Sequence, residues 1–317
     1  MASFTSFKGL DNISEPSLEQ RLKTNLPMLC DWCFVDMGAF FNVRLTTTNQ
    51  YGNVESKLRT VNDARFSNGQ VWEGTRKNWV WESGVSQTTQ PIRYSGVYVN
   101  NTFYPSNTSG TYAHYVDYPN GRVIFYNPIP TTATVKAEYS YKLIHFGDTN
   151  VVDYLQSIQQ QSLRGDKTPN DNRGSGSWSQ LPEQRIQLPA IIIDISTNTT
   201  MTPYEIGSGA QKVKKTIVFH VIGEEDTLNA KLADVLVMQK EKTFILFDEV
   251  SMFTNGNTPL DYNGKLTANA KTFANLVEMY PWNRTRVVNS KIEGRQQFNQ
   301  IYLRTVNWEI ETILSKV

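Results

Sequence analysis

The stretch PYEIGSGAQKVKKTIVFHVIG, residues 203–223, carries the residue types of a phosphate-binding loop. Two glycines flank a serine, three lysines follow, and an apolar run comes next. A phosphate loop needs G-x-x-x-x-G-K-[ST] between a strand and a helix, so that backbone amides and the helix N-terminus face the phosphates. Here Gly207 and Gly209 precede a strand-like run, no helix follows at once, and Lys212 has no Ser or Thr beside it. The dinucleotide fingerprint fails too, because Lys212 stands where a third glycine is needed. The stretch therefore reads as a turn between the strands AIIIDIS and KKTIVFHVI.

Other reactive residues offer no better site. Cys30 and Cys33 in LCDWCF form a CxxC, which can be a redox pair or half of a zinc site. Zinc needs two further ligands, and His114, His145 and His220 are scattered over strand-like segments. A thioredoxin-type pair follows a strand and opens a helix. This one lies late in a helical pattern of Leu18, Leu22, Leu26 and Leu29, with Pro27 a candidate kink, so two structural thiols are expected. Glu224, Glu225 and Asp226 open a helical pattern, where carboxylates suit the helix dipole and can cap it. Asp248 and Glu249 close a strand-like run without a partner motif, and no G-x-S-x-G, H-E-x-x-H or D-x-D occurs. His220, on an apolar strand, reads as a core or interface histidine. The residues point away from an enzyme and call for no cofactor and no metal.

Aromatic residues cluster instead. Trp72, Trp79 and Trp81 share one short stretch with Arg76 and Lys77, and Tyr98, Phe103 and Tyr104 follow. Such a group can be a stacking platform for sugars or single-stranded nucleic acid. It can equally be a protein-partner surface or plain core. A formal net charge of +1 and a pI near 7.7 supply no whole-molecule field for nucleic acid or membrane, which favours partner contact or core.

The elements that must position these residues divide into two rhythms. The 317 residues suffice for two domains. Residues 1–40 hold a helical segment with no pattern of a secretory leader, and no apolar run is long enough to span a membrane. Residues 41–150 read as an antiparallel β module: FFNVRLTTT as a strand, residues 49–70 as a polar loop, and tight hairpins at Asn100-Asn101 and Asn120-Gly121. In TVKAEYSYKLI, Val135, Ala137, Tyr139, Tyr141 and Leu143 alternate with Lys136, Glu138, Ser140 and Lys142, predicting one buried and one wet face. Residues 151–187 read as a short helix over 151–162 and a polar linker.

Residues 188–317 predict an α+β domain, a mostly antiparallel sheet with helices packed on one face. Ile217, Phe219 and Val221 oppose Val218 and Ile222, so that strand reads as covered on both faces. Leu228, Leu232, Val235 and Leu236 mark an amphipathic helix, and AKTFANLVEMY a shorter one.

This second half resembles the tail-terminator proteins of long-tailed bacteriophages. The matching positions are Tyr204, Glu205, Ile206, Gly207 and Gly209 in the turn, then Phe219, His220 and Val221 closing the strand, then Leu228, Leu232 and Asp234 in the helix. The first half looks like β modules of phage virion proteins. The resemblance implies a non-enzymatic virion protein at the head–tail junction, assembled in the host cytoplasm. Such a subunit forms a ring, usually a hexamer, which caps the tail tube, meets the tube and/or sheath, and offers a face to the head-side connector or neck proteins. Partner contacts are then expected at Trp72, Arg76, Trp79, Trp81, Tyr98, Phe103, Tyr104, Tyr204, Glu205, Gly207 and Gly209. Lys212, Lys214 and Lys215 would either face a DNA-filled lumen or form a solvated strand end. Two other readings remain: a baseplate or fibre-attachment component, and a carbohydrate- or cell-surface-binding β protein using the aromatics of residues 72–104.

Overall fold

The computed structural model describes residues 14–49, 52–147, 187–205, 210–298 and 301–314. The expected helix over 151–162, the linker after it, and Ile206, Gly207 and Gly209 lie outside the described residues. Helix α1 (Leu18–Asp36) starts at a reciprocal cap: the Gln20 amide donates to the Ser17 hydroxyl, and the Ser17 amide donates to the Gln20 side chain. Pro27 lies inside α1, yet the helix continues to Asp36. A proline there removes a backbone donor. Burial of Leu22, Leu26, Leu29 and Phe34 on one side offsets that loss, each such side chain contributing roughly 1.5–3 kcal/mol.

Ten strands follow: β1 (Phe40–Val43), β2 (Arg59–Thr60), β3 (Val71–Glu73), β4 (Gly96–Val99), β5 (Thr102–Pro105), β6 (His114–Asp117), β7 (Arg122–Phe125), β8 (Val135–Ala137), β9 (Tyr139–Lys142) and β10 (His145–Gly147). The first nine form three small antiparallel sheets, ordered β1-β9, β2-β3-β7-β6 and β5-β4-β8. FFNVRLTTT does not stay extended, because the Arg44 amide donates to the Thr47 hydroxyl and a turn begins. Asn100 and Asn101 take φ of 49° and 68° between β4 and β5, the hairpin their types predict. The second hairpin differs in form. Asp117 pairs with Arg122, so its loop is residues 118–121, and Asn120 donates twice to the Asp117 carboxylate. Gly121 alone there has positive φ, 63°, and a Cβ on it would lie 2.4 Å from the Arg76 carbonyl.

The alternation over residues 135–143 is broken at Glu138, with β8 and β9 in different sheets. Val135, Ala137, Tyr139 and Tyr141 are buried as expected, but Leu143 is exposed. The face expected to be wet is covered at Ser140 and Lys142.

The second half builds β11 (Ala190–Pro203), β12 (Gln211–Gly223), α2 (Asp226–Val237), β13 (Thr243–Phe247), α3 (Glu249–Thr254), α4 (Phe273–Met279), β14 (Pro281–Phe298) and β15 (Ile301–Leu314). One six-stranded sheet runs β10-β11-β12-β15-β14-β13, antiparallel except for β10 beside β11. The fold is α+β. Ile217, Phe219, Val221, Val306, Trp308 and Ile310 share one core with Leu22 and Leu26 of α1, Leu232 and Leu236 of α2, and Leu276 of α4. α1 and β10 thus come from the first half but complete the layer made by the second. The other face of β12 is less covered: Ile222 is buried while Val218 and His220 are half-buried. In α2 the expected apolar stripe loses Leu228, which is 37% exposed. Asn229 is buried instead, donating to the carbonyls of Val221 and Tyr302 and locking the helix to β12 and β15.

Candidate functional site

The lysine-rich stretch is β12, and its register separates the three lysines. Lys212 and Lys214 lie on one face opposite Ile313 and Glu311, whereas Lys215, opposite Ile310, lies on the helix-covered face. Both Lys212 and Lys214 bond the Glu311 carboxylate, at 3.0 Å and 2.9 Å. Burial pushes the Glu311 carboxyl up, but hydrogen bonds from Lys214 and Lys212 hold it below the usual range. Lys215 is buried and bonds Glu19 of α1 and the Ser196 carbonyl, each at 3.1 Å. Lys215 therefore does not face a lumen together with Lys212 and Lys214. Alternation along a strand sends neighbours to opposite faces, and a buried ammonium needs a carboxylate. In the turn, Tyr204 is 47% exposed and Glu205 is exposed, and the Tyr204 amide donates to the Ala210 carbonyl.

Of the tryptophan cluster, read from the sequence as partner contact or core, Trp72 and Trp79 are core and Trp81 is half-buried. Trp72 and Trp79 are buried, and Trp79 stacks on Tyr139 at 3.9 Å between ring centres. Their indole N–H groups donate inward, Trp72 to the Gly69 carbonyl and Trp79 to the Arg76 carbonyl. Arg76 is half-buried over the Tyr141 ring, and half-buried Trp81 lies beside Lys142. Burial of large rings in a small β module outweighs the gain from presenting them to a partner. Tyr104 packs on Tyr112 and against the same core. Only Tyr98 and Phe103 of the group make an outward-facing pair, with rings 4.9 Å apart and Phe103 42% exposed.

Charged clusters the sequence did not single out hold the elements together. Lys142 donates to Asp31 of α1 and to Glu82, the latter at 2.5 Å. Burial opposes the Lys142 charge, but Asp31 and Glu82 hold it above its ordinary range; burial holds the Glu82 carboxyl above its own. Arg122 bonds Glu73 and Asp63, while Arg65 clasps Asp63 in a two-point bond. The Arg65 hydrogen bond chiefly lowers Asp63 to about 2. At the helix layer, the Asn25 side chain exchanges hydrogen bonds with the backbone of Phe247, and Arg21 pairs with Asp248 while lying over Trp282. Apart from Arg65 and Asp63, which are 2 residues apart, these hydrogen-bonded partners are separated by 49 to 227 residues in sequence, so no local spacing signals them.

Cys30 and Cys33 are free thiols, one buried and one half-buried, and burial pushes both upward, away from the reactive thiolate. Asp248 caps α3 through its side chain, and Glu225 precedes α2 without a side-chain cap bond. Burial lowers His114, His145 and His220, favouring their neutral forms. A cleft of about 250 Å³ lies between the β module and the loop before α4, lined by Arg65, Tyr115, Asp117, Asn120, Asp261 and Tyr262 among others. The Tyr118 amide donates to the Gly264 carbonyl and joins its two walls. Among the described residues no helix is long and apolar enough to cross a membrane. Compared with known proteins, the chain matches no family model and no curated protein.

Proposed function

We propose that the chain is a structural subunit of a tailed-bacteriophage particle at the head–tail junction, forming a ring that caps the tail tube and meets the head-side connector. The observation that carries this reading is the pair of long hairpins. β11–β12 and β14–β15 run past the helix-covered part of the sheet, leaving residues 197–205 and 291–297 exposed. Exposed strand edges are a liability for a free monomer and an asset for an assembly that buries them. Tyr204 and Glu205, two of the positions matched by the resemblance, directly follow β11 at the end of one hairpin. Passing contact with DNA falls to Lys212 and Lys214 alone, both already shared with Glu311. Electron microscopy of particles carrying a labelled subunit tests the reading. Label at the head–tail junction supports it; label only at distal fibres, or none in particles, refutes it.

A second reading rests on the cleft. Tyr115 and Tyr262 beside Asp117, Asn120 and Asp261 combine ring faces with hydrogen-bonding groups, a lining suited to a sugar unit. Glycan binding by the isolated chain that Tyr262→Ala abolishes would favour this reading over the ring.

A further inference from the structure

The outward face of the β5-β4-β8 sheet carries one unbroken cross-strand row. Phe103 stands opposite Tyr98, Tyr98 opposite Lys136, and Lys136 opposite Lys57. The side-chain direction is set by the neighbours: Ser56 and Leu58, Val135 and Ala137, and Val97 and Val99 are all buried on the other face. The Leu58 amide donates to the Val135 carbonyl and the Ala137 amide to the Ser56 carbonyl. Those two bonds flank Lys57 and Lys136, making them a non-hydrogen-bonded pair, the closer of the two antiparallel arrangements. Like charges directly opposite each other on a sheet are destabilising. No carboxylate among the described residues forms an ion pair with either lysine. The row is therefore two juxtaposed cations next to a solvent-facing aromatic pair, with no countercharge among the described residues.

The complementary surface is carried by the same sequence. Glu224 and Glu225 are exposed at the start of α2, and the exposed Leu228 follows them within one helical turn. Among the described residues the Glu225 carboxylate receives only the hydroxyl of Thr227, while the neighbouring Asp226 is already bonded to Arg295 and Arg304. We infer that the Phe103–Tyr98–Lys136–Lys57 row of one copy receives the Glu224–Glu225 segment of a second copy, with Leu228 against the aromatic pair. The contact joins two different patches, so it is head-to-tail and closes into a ring when the rotation per subunit permits. It deepens the ring reading and names the surfaces that would build the ring.

Light scattering with negative-stain microscopy on the full chain tests the contact. Lys57→Glu with Lys136→Glu, and Glu224→Lys with Glu225→Lys, should each weaken self-association by roughly tenfold or more. Mixing the two variants restores opposite charges across the contact and should restore assembly. Circular dichroism melts check that the variants fold; Lys57, Glu224 and Glu225 are exposed and Lys136 is half-buried. Rings that form unchanged in both variants overturn the contact and leave the ring reading standing. Open filaments that dissolve in the variants and reform on mixing uphold the contact and overturn the closed ring. A wild-type chain that stays monomeric at every concentration reached overturns the contact, and particle labelling then decides the ring reading by itself.

Discussion

Lys142→Met removes the cation that Asp31 and Glu82 share. The Lys142 and Glu82 side chains are 9% and 4% exposed and that of Asp31 is 25% exposed, so the two carboxylates are left facing each other in a largely dry site. Removing one partner of a buried ion pair costs about 3–5 kcal/mol. For a chain of 317 residues, with an unfolding entropy of about 2.1 cal/mol/K per residue, that corresponds to a fall in Tm of roughly 4–8 °C. The cost also has a definite pH dependence. Burial already holds the Glu82 carboxyl above its usual range with Lys142 beside it, and loss of the lysine raises it further. A carboxyl raised above its unfolded value of about 4.3 leaves stability intact below that value and removes it as pH rises through the folded value. The destabilisation by Lys142→Met is therefore full in alkali and shrinks as pH falls toward the unfolded value of about 4.3. In the wild type, Lys142 is raised by its two carboxylates, so its contribution persists through neutral pH and is lost only in strong alkali. Thermal melts of wild type, Lys142→Met, and Lys142→Met with Glu82→Gln across that range measure the effect. The double variant should recover a large part of the loss at the alkaline end. A Tm change of less than about 2 °C near pH 8, or a loss independent of pH, refutes the reasoning.

Three further outcomes separate positions that look alike in sequence. Lys215→Glu sets a buried carboxylate against the half-buried Glu19 and should cost about 3–5 kcal/mol, whereas Lys212→Glu on the outer face should cost within about 1 kcal/mol; melts of the two purified variants compare them. Trp79→Ala should cost about 3–5 kcal/mol by emptying the β-module core, and Phe103→Ala should stay within about 0.5 kcal/mol in the same denaturation assay. Asp63, lowered to about 2, contributes stability that is present above its unfolded value and lost as pH falls through about 2. Asp63→Asn should remove that acid-side loss, and an unchanged acid transition in the variant would count against the Arg65–Asp63–Arg122 cluster as its source.

Local chemistry decided much of this protein in advance. Ser17 and Gln20 three residues apart specify the start of α1, and Asn100-Asn101 specify a hairpin, because each satisfies its own backbone within a few residues. The strands and helices of the second half follow from periodicity, since a buried face must repeat with the element. The failure of a phosphate loop was likewise legible, as Gly207 and Gly209 precede a strand.

Tertiary packing decided the rest. Periodicity says which side chains share a face but not what covers it. Lys142 therefore read as a wet residue until α1 and Glu82 closed over it, and Leu228 read as core until Asn229 took the inward position. A cluster of tryptophans is equally compatible with core and interface, and only the stacking of Trp79 on Tyr139 places it inside. The three lysines of one short stretch were indistinguishable as sequence. Sheet register put Lys212 and Lys214 against Glu311 and Lys215 against Glu19, because strand alternation and the position of α1 set the dielectric around each charge.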